Sequence, residues 1–569
     1  MAFAVGVSGH RALPDADLAA LGVAARGVFA AIADEMRKLH AADQAGGAPL
    51  FRPDAPLLRC ICGLAEGADA ILAEAALAEG WTLAVSLPFA ASAFETDFTT
   101  EAARQRFALL LARAESVCAL DGDRARGAEP YTAVGEQVVE QSDLLLAVWD
   151  GLPARGPGGT GDVVLLARRQ GVPVAVLPAS GPVSLGWDGA RGRAKSGDVP
   201  GDMPGNMAGD LAALVRQVVM PPADPHGFPA SAFDDAPRGT AWAMAAIRLY
   251  ERIVAAGARA PALPTISGGT AAETQAETAW SGWFAPIDRL ATEHAALYRA
   301  AGLMRYGLIL PATFASLVGT YGTGWLRPAG YLSQFAVLVF LLAFSARGWW
   351  ERSHRRFIAY RALAELLRNM RMLAPLAAVA RMPGAATHLG RSADWTAWYG
   401  RAAAREAGLA PVGFDPALLA AACVGLRART RDQVGFLLSR AVRFDTMGRR
   451  LWQIGFMLSM AGIGFSAIRA ALLWGAVADT TMRSFNELAL LLPAMAPVFL
   501  GLLSFNEYST LATRYRAVAA ELQAQLGALD ATPMRRKDVL EVARGIAEVL
   551  LAETFDWQLL IKARTVSAY

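Results

Sequence analysis

The stretch richest in potential chemistry runs through the middle of the amino-terminal third. An apolar run, Leu144–Val148, stops at Trp149-Asp150-Gly151, passes a loop holding Pro157-Gly158-Gly159-Thr160-Gly161, and re-enters a helix-like run at Asp162–Arg169 before another strand at Val172–Leu177. Glycines let a backbone turn with positive φ and approach a ligand closely, and the unpaired N–H groups that open a helix favour an anion such as phosphate. The same glycines can also do no more than shape a tight strand-to-helix turn. Two earlier turns have the same form: Ser8-Gly9-His10-Arg11 follows the apolar run Ala4–Val7, and Gly63-Leu64-Ala65-Glu66-Gly67-Ala68-Asp69 follows Leu57–Cys62. A third apolar run, Thr82–Leu87, ends in Pro88-Phe89, with Phe94 downstream.

The elements that must position these turns alternate. Helices are expected from Asp15–Asp17 to about Leu39, after the Gly63–Asp69 turn through Glu79, over Thr100–Glu115 and over Val134–Gln141, with a further strand at Ser116–Leu120. Strands alternating with helices imply a parallel, doubly wound α/β sheet over residues 1–180, with every glycine turn on one edge, where such sheets take their ligands. Cys60, Cys62 and Cys118, with Cys423 far downstream, make no metal-ligand spacing and read as reduced core residues; no metal is expected.

These turns together resemble the SLOG superfamily, which unites cytokinin-activating LOG phosphoribohydrolases, bacterial DNA-uptake proteins, the amino-terminal domains of melastatin-type TRP channels and nucleotide sensors of bacterial conflict systems. The resemblance rests on Gly6–Arg11, Gly63–Asp69, Leu87-Pro88-Phe89 with Phe94–Phe98, Tyr131–Gly135, and Trp149-Asp150-Gly151 with Gly158-Gly159-Thr160. It implies a Rossmann-like pocket for a nucleotide or nucleotide-derived signal, such as a cyclic nucleotide or an ADP-ribose derivative, and no other cofactor. In that pocket Gly9, His10 and Arg11, with Gly158, Gly159 and Thr160, would face phosphates, Glu66 and Asp69 the ribose side, and Phe89, Phe94 and Trp149 the base. Ser8, Gly63, Gly67, Pro88, Asp150, Gly151 and Asp162 complete the ligand-binding set that the resemblance implies. LOG enzymes carry a PGGxGTxxE signature whose glutamate works on the glycosidic bond. Here Asp162 stands for the threonine and Leu165 for the glutamate. An apolar residue cannot serve as acid, base or charge stabiliser, so no catalytic residue is expected, although Glu66 or Asp162 could substitute.

The rest of the chain has a different character. Of 569 residues 54% are hydrophobic and 18% charged, and mean hydropathy is +0.30. The excess gathers in Tyr306–Leu326, Tyr331–Ala346, Leu451–Trp474 and Leu488–Phe505, which read as four membrane spans in two hairpins. A net charge of +3 suits anionic partners, and because arginines flank the spans, lipid headgroups suit it better than nucleic acid. Arg347, Arg352, Arg355, Arg356 and Arg361 follow the first hairpin; Arg440, Arg443, Arg449 and Arg450 precede the second. The positive-inside rule then places both termini and the middle segment in the cytoplasm of an inner-membrane protein, and no basic leader with a cleavage site opens the chain. Residues 181–280 read as linker and helical connection, with helices Ala208–Met220 and Gly239–Ala256 between the loops Ala179–Asn206 and Ala260–Gln275. The segment Leu373–Arg440 reads as helical, with no recognisable chemistry.

Residues 281–445 and 446–569 look like a duplication. Tyr360–Leu366 (YRALAEL) follows one hairpin and Tyr515–Leu522 (YRAVAAEL) the other, although an Ala/Arg/Leu-rich chain can produce such a match by chance. A hairpin with a helical extension resembles the SLATT effectors found beside SLOG sensors. Inside the spans, Arg469, Asn486 and Glu487 are pore-lining candidates, Arg469 alternatively snorkelling to headgroups. The expected protein is an oligomeric membrane effector of antiviral defence, permeabilising the membrane on binding a nucleotide messenger from a partner synthase. A membrane-anchored nucleotide hydrolase and a non-conducting scaffold are its rivals.

Overall fold

The computed structural model describes residues 1–13, 18–47, 49–179, 186–188, 207–222, 240–258, 275–346, 349–380, 395–472 and 479–566. The amino-terminal part alternates β1 (Ala2–Gly9), α1 (Leu18–Ala45), β2 (Leu57–Cys62), α2 (Ala68–Ala78), β3 (Thr82–Leu87), the single turn α3 (Ala91–Phe94), α4 (Glu101–Ala112), β4 (Ser116–Ala119), α5 (Glu129–Gln141), β5 (Leu144–Trp149), α6 (Thr160–Arg169) and β6 (Val174–Pro178). Strand β7 (Gly186–Asp188) and helix α7 (Met207–Val219) follow. With β8 (Val412–Gly413), strand order is β7-β6-β5-β1-β2-β3-β4-β8, parallel throughout except for the antiparallel edge strand β7. The expected α/β sheet is present, and β5, whose six residues LLLAVW are all buried, has the two-sided apolar character of a covered parallel strand.

The eighth strand was not expected. β8 (Val412–Gly413) comes from the segment Leu373–Arg440 and pairs with Cys118 and Ala119 of β4. Just before it, Arg405 reaches the amino-terminal edge of the sheet. Its guanidinium lies 3.1 Å from the Asp143 carboxylate, and its carbonyl accepts a bond from buried Arg59. The sheet is thus completed by residues some 230 positions beyond the 1–180 segment that begins it. Local propensity does not announce a two-residue strand, because its stability comes from the partner strand and not from its own sequence.

Other boundaries moved for local reasons. Helix α5 begins at Glu129 and not Val134, with Pro130 in its first turn and an acidic residue at its positive end. Helix α4 is shorter than Thr100–Glu115, and α1 continues past Leu39 to Ala45. The start of α1 expected at Asp15–Asp17, the loop Ala260–Gln275 and most of Ala179–Asn206 lie outside the described residues.

The carboxyl-terminal part is helical: α8 (Thr240–Val254), α9 (Gln275–Gly307), α10 (Ile309–Tyr321), α11 (Leu326–Ala346), α12 (Trp349–Leu373), α13 (Trp395–Ala407), α14 (Pro416–Leu472), α15 (Asp479–Asn506), α16 (Tyr508–Ala531) and α17 (Arg536–Val566). Among the described residues four helical stretches are long and apolar enough to cross a membrane: Glu277–Tyr321, Leu326–Ala343, Pro416–Ala471 and Leu491–Ala531. The second begins five residues before the expected Tyr331, and the third belongs to a single helix of 57 residues that has no proline after its first position. Small residues set the crossings. A Cβ on Gly330 would fall 2.3 Å from the Gly319 nitrogen between α10 and α11, and one on Gly462 would fall 2.3 Å from Pro493 between α14 and α15. In the two motifs, Tyr360 on α12 stacks on His294 of α9, and Tyr515 on α16 stacks on Phe444 of α14.

The sheet's two faces are covered differently. Phe3, Val5, Val7, Cys60, Cys62, Val85 and Leu146 pack against α1, α2, α4 and α7. The opposite face, with Ala4, Ile61, Cys118, Ala147 and Trp149, shares one core with α5 and α6 and with residues of α9, α12, α14, α16 and α17. The four cysteines are free and buried.

Candidate functional site

The chain runs outward from the central strand β1 in both directions, to β2 on one side and β5 on the other, so the order reverses between β1 and β5. The crevice at the carboxyl ends of those two strands is where an open α/β sheet accommodates a ligand. The β1 turn and the β5 turn meet there. His10 donates its backbone N–H to the Val148 carbonyl, and its Nε2 lies 3.2 Å from Asp150 Oδ1 and 3.3 Å from the Asp150 amide nitrogen. Burial opposes ionisation of Asp150, but the Leu152 N–H and His10 outweigh it and hold the carboxyl below its ordinary value.

The β2 turn clasps the β1 turn from the other side. The Ala68 N–H donates to the His10 carbonyl, and Gly67, with φ of 92°, lies so close that a Cβ on it would fall 2.2 Å from the Arg11 oxygen. Gly9 is equally tight, its missing Cβ pointing at Ala68 and Val148. Ser8, Gly9, His10, Arg11, Gly67, Asp69, Asp150 and Gly151 are therefore brought together around one crevice. Gly63 sits beneath it, 3.5 Å from Asp69 Oδ2 measured from the position its Cβ would take.

Asp69 is the unusual group here. It lies in the first turn of α2, is 7% exposed, and accepts the Ala65 N–H. Burial pushes its carboxyl up to about 7, against the Ala65 amide and the nearby Arg11 charge, which favour the anion. A carboxyl raised in the folded state contributes most at low pH, and that contribution is lost as pH rises through about 7. Asp69→Asn, which cannot ionise, will gain thermal stability over the parent at pH 8 and gain clearly less at pH 5. Equal differences at both pH values, read from melting curves, would show that Asp69 does not titrate in this window.

The glycine loop adds a compensated anion site. Gly159 precedes α6, and Gly158, with φ of 78°, packs against Thr132 of α5. Asp162 turns back to accept the Gly158 N–H at 3.0 Å, so a carboxylate of the chain already occupies part of the space a phosphate would use. Thr160 is buried, whereas Leu165 projects outward at 43% exposure.

The aromatic expectation is corrected by where the three rings are buried. Trp149 points to the face covered by α6, with its indole N–H on the Leu152 carbonyl and Arg168 over its ring. Phe89 and Phe94 belong to the other face, Phe94 enclosed by Phe98 and Phe107. Rings buried on opposite faces cannot border one base. Pro88 likewise serves the fold, its carbonyl accepting the Gly122 N–H.

Tyr131 and Asp97, which the motifs include without a role, and Arg124, which they omit, complete the site. Arg11 lies over the Tyr131 ring, the Tyr131 hydroxyl donates to Asp97, and Arg124 pairs with Asp97 while covering the Phe89 ring. A cavity of about 320 Å³ opens beside Arg11, floored by Phe98, Phe107 and Ile71, with Glu66 and Arg106 at its rim. Glu66 accepts a bond from the Thr99 hydroxyl and Arg106 pairs with Glu74. These groups come from many separate loops and helices, so no spacing in the sequence joins them.

Among the described residues no cluster of three or more histidine, cysteine or acidic side chains could hold a metal ion. Of the pore candidates, Arg469 is exposed near the end of α14, and the side chains of Asn486 and Glu487 lie outside the described residues. The class defined here is an α/β parallel-sheet protein with a ligand-type crevice, joined to a helical part with four apolar, membrane-length helices. No protein-family model matches the chain, and no curated protein matches it.

Proposed function

We propose that the sheet part senses a nucleotide or nucleotide-derived anion and that the four apolar helices form the effector it controls in a membrane. The observation that carries this reading is the double engagement of α5. Tyr131 and Thr132, on its first turn, support Arg11 and Gly158 at the crevice. Along the same helix Glu129 meets Arg535 and Lys537, Glu140 meets Arg544, and Gln137 donates to the Ala377 carbonyl. Helix α17 packs in turn on α12 and α16, which follow the spans α11 and α15. A ligand that draws Arg11 away from Tyr131 acts on the element that holds the membrane helices, so differential affinity for two arrangements can move the spans.

In this reading the anionic part of the ligand meets Arg11 and the crevice amides, and its flat apolar part enters the cavity beside Phe98 and Phe107, with Glu66 at a ribose. The sensor is SLOG-like and the effector SLATT-like, acting in antiviral defence on a messenger from a partner synthase. Four spans enclose little space, so the conducting form is a homo-oligomer in the inner membrane, with termini and sheet in the cytoplasm. A second reading, a nucleotide hydrolase, is favoured by one observation: a buried carboxyl titrating near neutrality beside the crevice, as a general acid requires.

The test is dye efflux from liposomes holding the full-length protein, titrated with cyclic nucleotides and ADP-ribose derivatives, with product analysis of the same samples. Efflux with intact ligand is expected. Arg11→Ala will raise the half-maximal ligand concentration roughly 10- to 100-fold, the worth of one charge-assisted hydrogen bond of about 1.5–3 kcal/mol. Released base without efflux, abolished by Asp69→Asn, would instead establish the hydrolase.

A further inference from the structure

A second cavity lies far from the sheet, at the foot of the spans. It measures about 400 Å³ and is bounded by Arg248, Glu251 and Arg252 of α8 and by Arg440, Arg443 and Phe444 of α14. Its charge is strongly unbalanced. Glu251 is shared between Arg299 at 3.5 Å and Arg440 at 3.7 Å, and the neighbouring Asp445 is engaged by Arg449 and Arg516. Arg248 donates only to the Met244 carbonyl of its own helix, and Arg252 and Arg443 have no ion pair among the described residues. Three guanidinium groups thus line one cavity with no carboxylate paired to them among the described residues.

The surroundings say what kind of anion fits. Arg443 precedes Leu451, where the apolar stretch of α14 begins, by about two turns. From there outward Trp452, Ile454, Phe456 and Met457 are exposed. Helix α8 carries its own exposed apolar line, Trp242, Leu249 and Ile253, at the seven- and four-residue spacing of one helical face. Its carboxyl end is fixed at the base of the spans by Arg450, which donates to the Val254 carbonyl, and by the bond between the Tyr508 and Tyr250 hydroxyls. A free soluble phosphate would use the arginines and leave the apolar line uncovered.

We propose that this cavity binds the phosphate of an anionic phospholipid in the leaflet nearest the sheet, with an acyl chain along Leu249 and Ile253 and α8 lying in the membrane interface. Basic cavities between helices at the membrane boundary recognise lipid headgroups in this way, and amphipathic helices bury an apolar face at that depth. The proposal rests on the four apolar helices crossing a bilayer and is independent of what the crevice binds.

The test uses the full-length protein in nanodiscs of phosphatidylcholine with a minority of phosphatidylglycerol, counting co-purifying lipid by native mass spectrometry after detergent release. The parent chain is expected to retain phosphatidylglycerol over phosphatidylcholine. Arg252→Gln with Arg443→Gln will lower that retention about tenfold or more, taking roughly 1 kcal/mol for each arginine. Arg252→Lys with Arg443→Lys will keep most of it, and Arg449→Gln, outside the cavity, will leave it unchanged. Inorganic phosphate at millimolar concentration will not displace the lipid. Equal retention by the parent and the double glutamine variant would overturn the proposal. Displacement by inorganic phosphate would overturn it in favour of a soluble anion site. Loss of crevice ligand binding with lipid retention intact would touch only the sensor reading.

Discussion

Gly67→Ala will abolish ligand binding at the crevice and destabilise the sheet part by more than about 3 kcal/mol, whereas Gly80→Ala will cost about 1 kcal/mol or less. Both glycines have positive φ, 92° and 77°, so the comparison separates backbone strain from collision. Nothing lies within 4 Å of the position a Cβ on Gly80 would take. At Gly67 the added carbon would fall 2.2 Å from the Arg11 oxygen and 2.7 Å from the His10 oxygen. Those atoms are backbone and cannot swing aside. Relief requires the β1 turn to move off the β2 turn, which breaks the Ala68 to His10 hydrogen bond and carries Arg11 and His10 out of register with Asp150. Denaturant unfolding and ligand titration of both variants check this; equal effects would mean that the clasp between the turns does not shape the site.

Arg536→Met will separate sensing from response. The arginine, 5% exposed, holds the junction of the two parts. Its Nε donates to the Leu376 carbonyl, its guanidinium covers the Phe414 ring after β8, and its backbone N–H donates to Asp121 beyond β4. Methionine keeps the apolar stem and the backbone bond but leaves the Leu376 carbonyl unpaired in the core, a loss of about 1–3 kcal/mol. The expected result is ligand affinity within about threefold of the parent, since the crevice is untouched, together with at least a tenfold loss of ligand-dependent efflux. Unchanged efflux would show that the α17 junction carries no signal. Affinity falling in parallel with efflux would show that the substitution had damaged the sheet itself. Arg544→Ala, which removes the Arg544–Glu140 ion pair at the α5–α17 contact, will weaken the response in the same direction and less strongly.

These predictions depend on different amounts of sequence information. The glycine turns were legible because positive φ and close approach restrict a position to one residue type, and Gly67 and Gly158 meet both conditions. The alternation that announces a parallel sheet was legible for a similar reason: strands covered on both faces must be apolar at every position, as β5 is. The four apolar stretches were legible by length and composition alone, since a bilayer core of roughly 30 Å sets both.

The sequence by itself determined the alternation of β1–β6 with their helices, the edge on which the glycine turns gather, and the four apolar stretches. Only the tertiary structure decided the rest. Trp149, Phe89 and Phe94 looked like a base-binding set until folding buried them in two separate cores. Tyr131, Asp97 and Arg124 drew no notice as a group because their contact is a property of loops that adjoin only after folding. Asp69 is an ordinary carboxylate in the sequence; burial behind the β1 turn makes it titrate near neutrality. The junction at Arg536 and the strand at Val412–Gly413 were the least visible. They join residues hundreds of positions apart, and the burial and pairing that hold them have no local period to leave a trace in the chain.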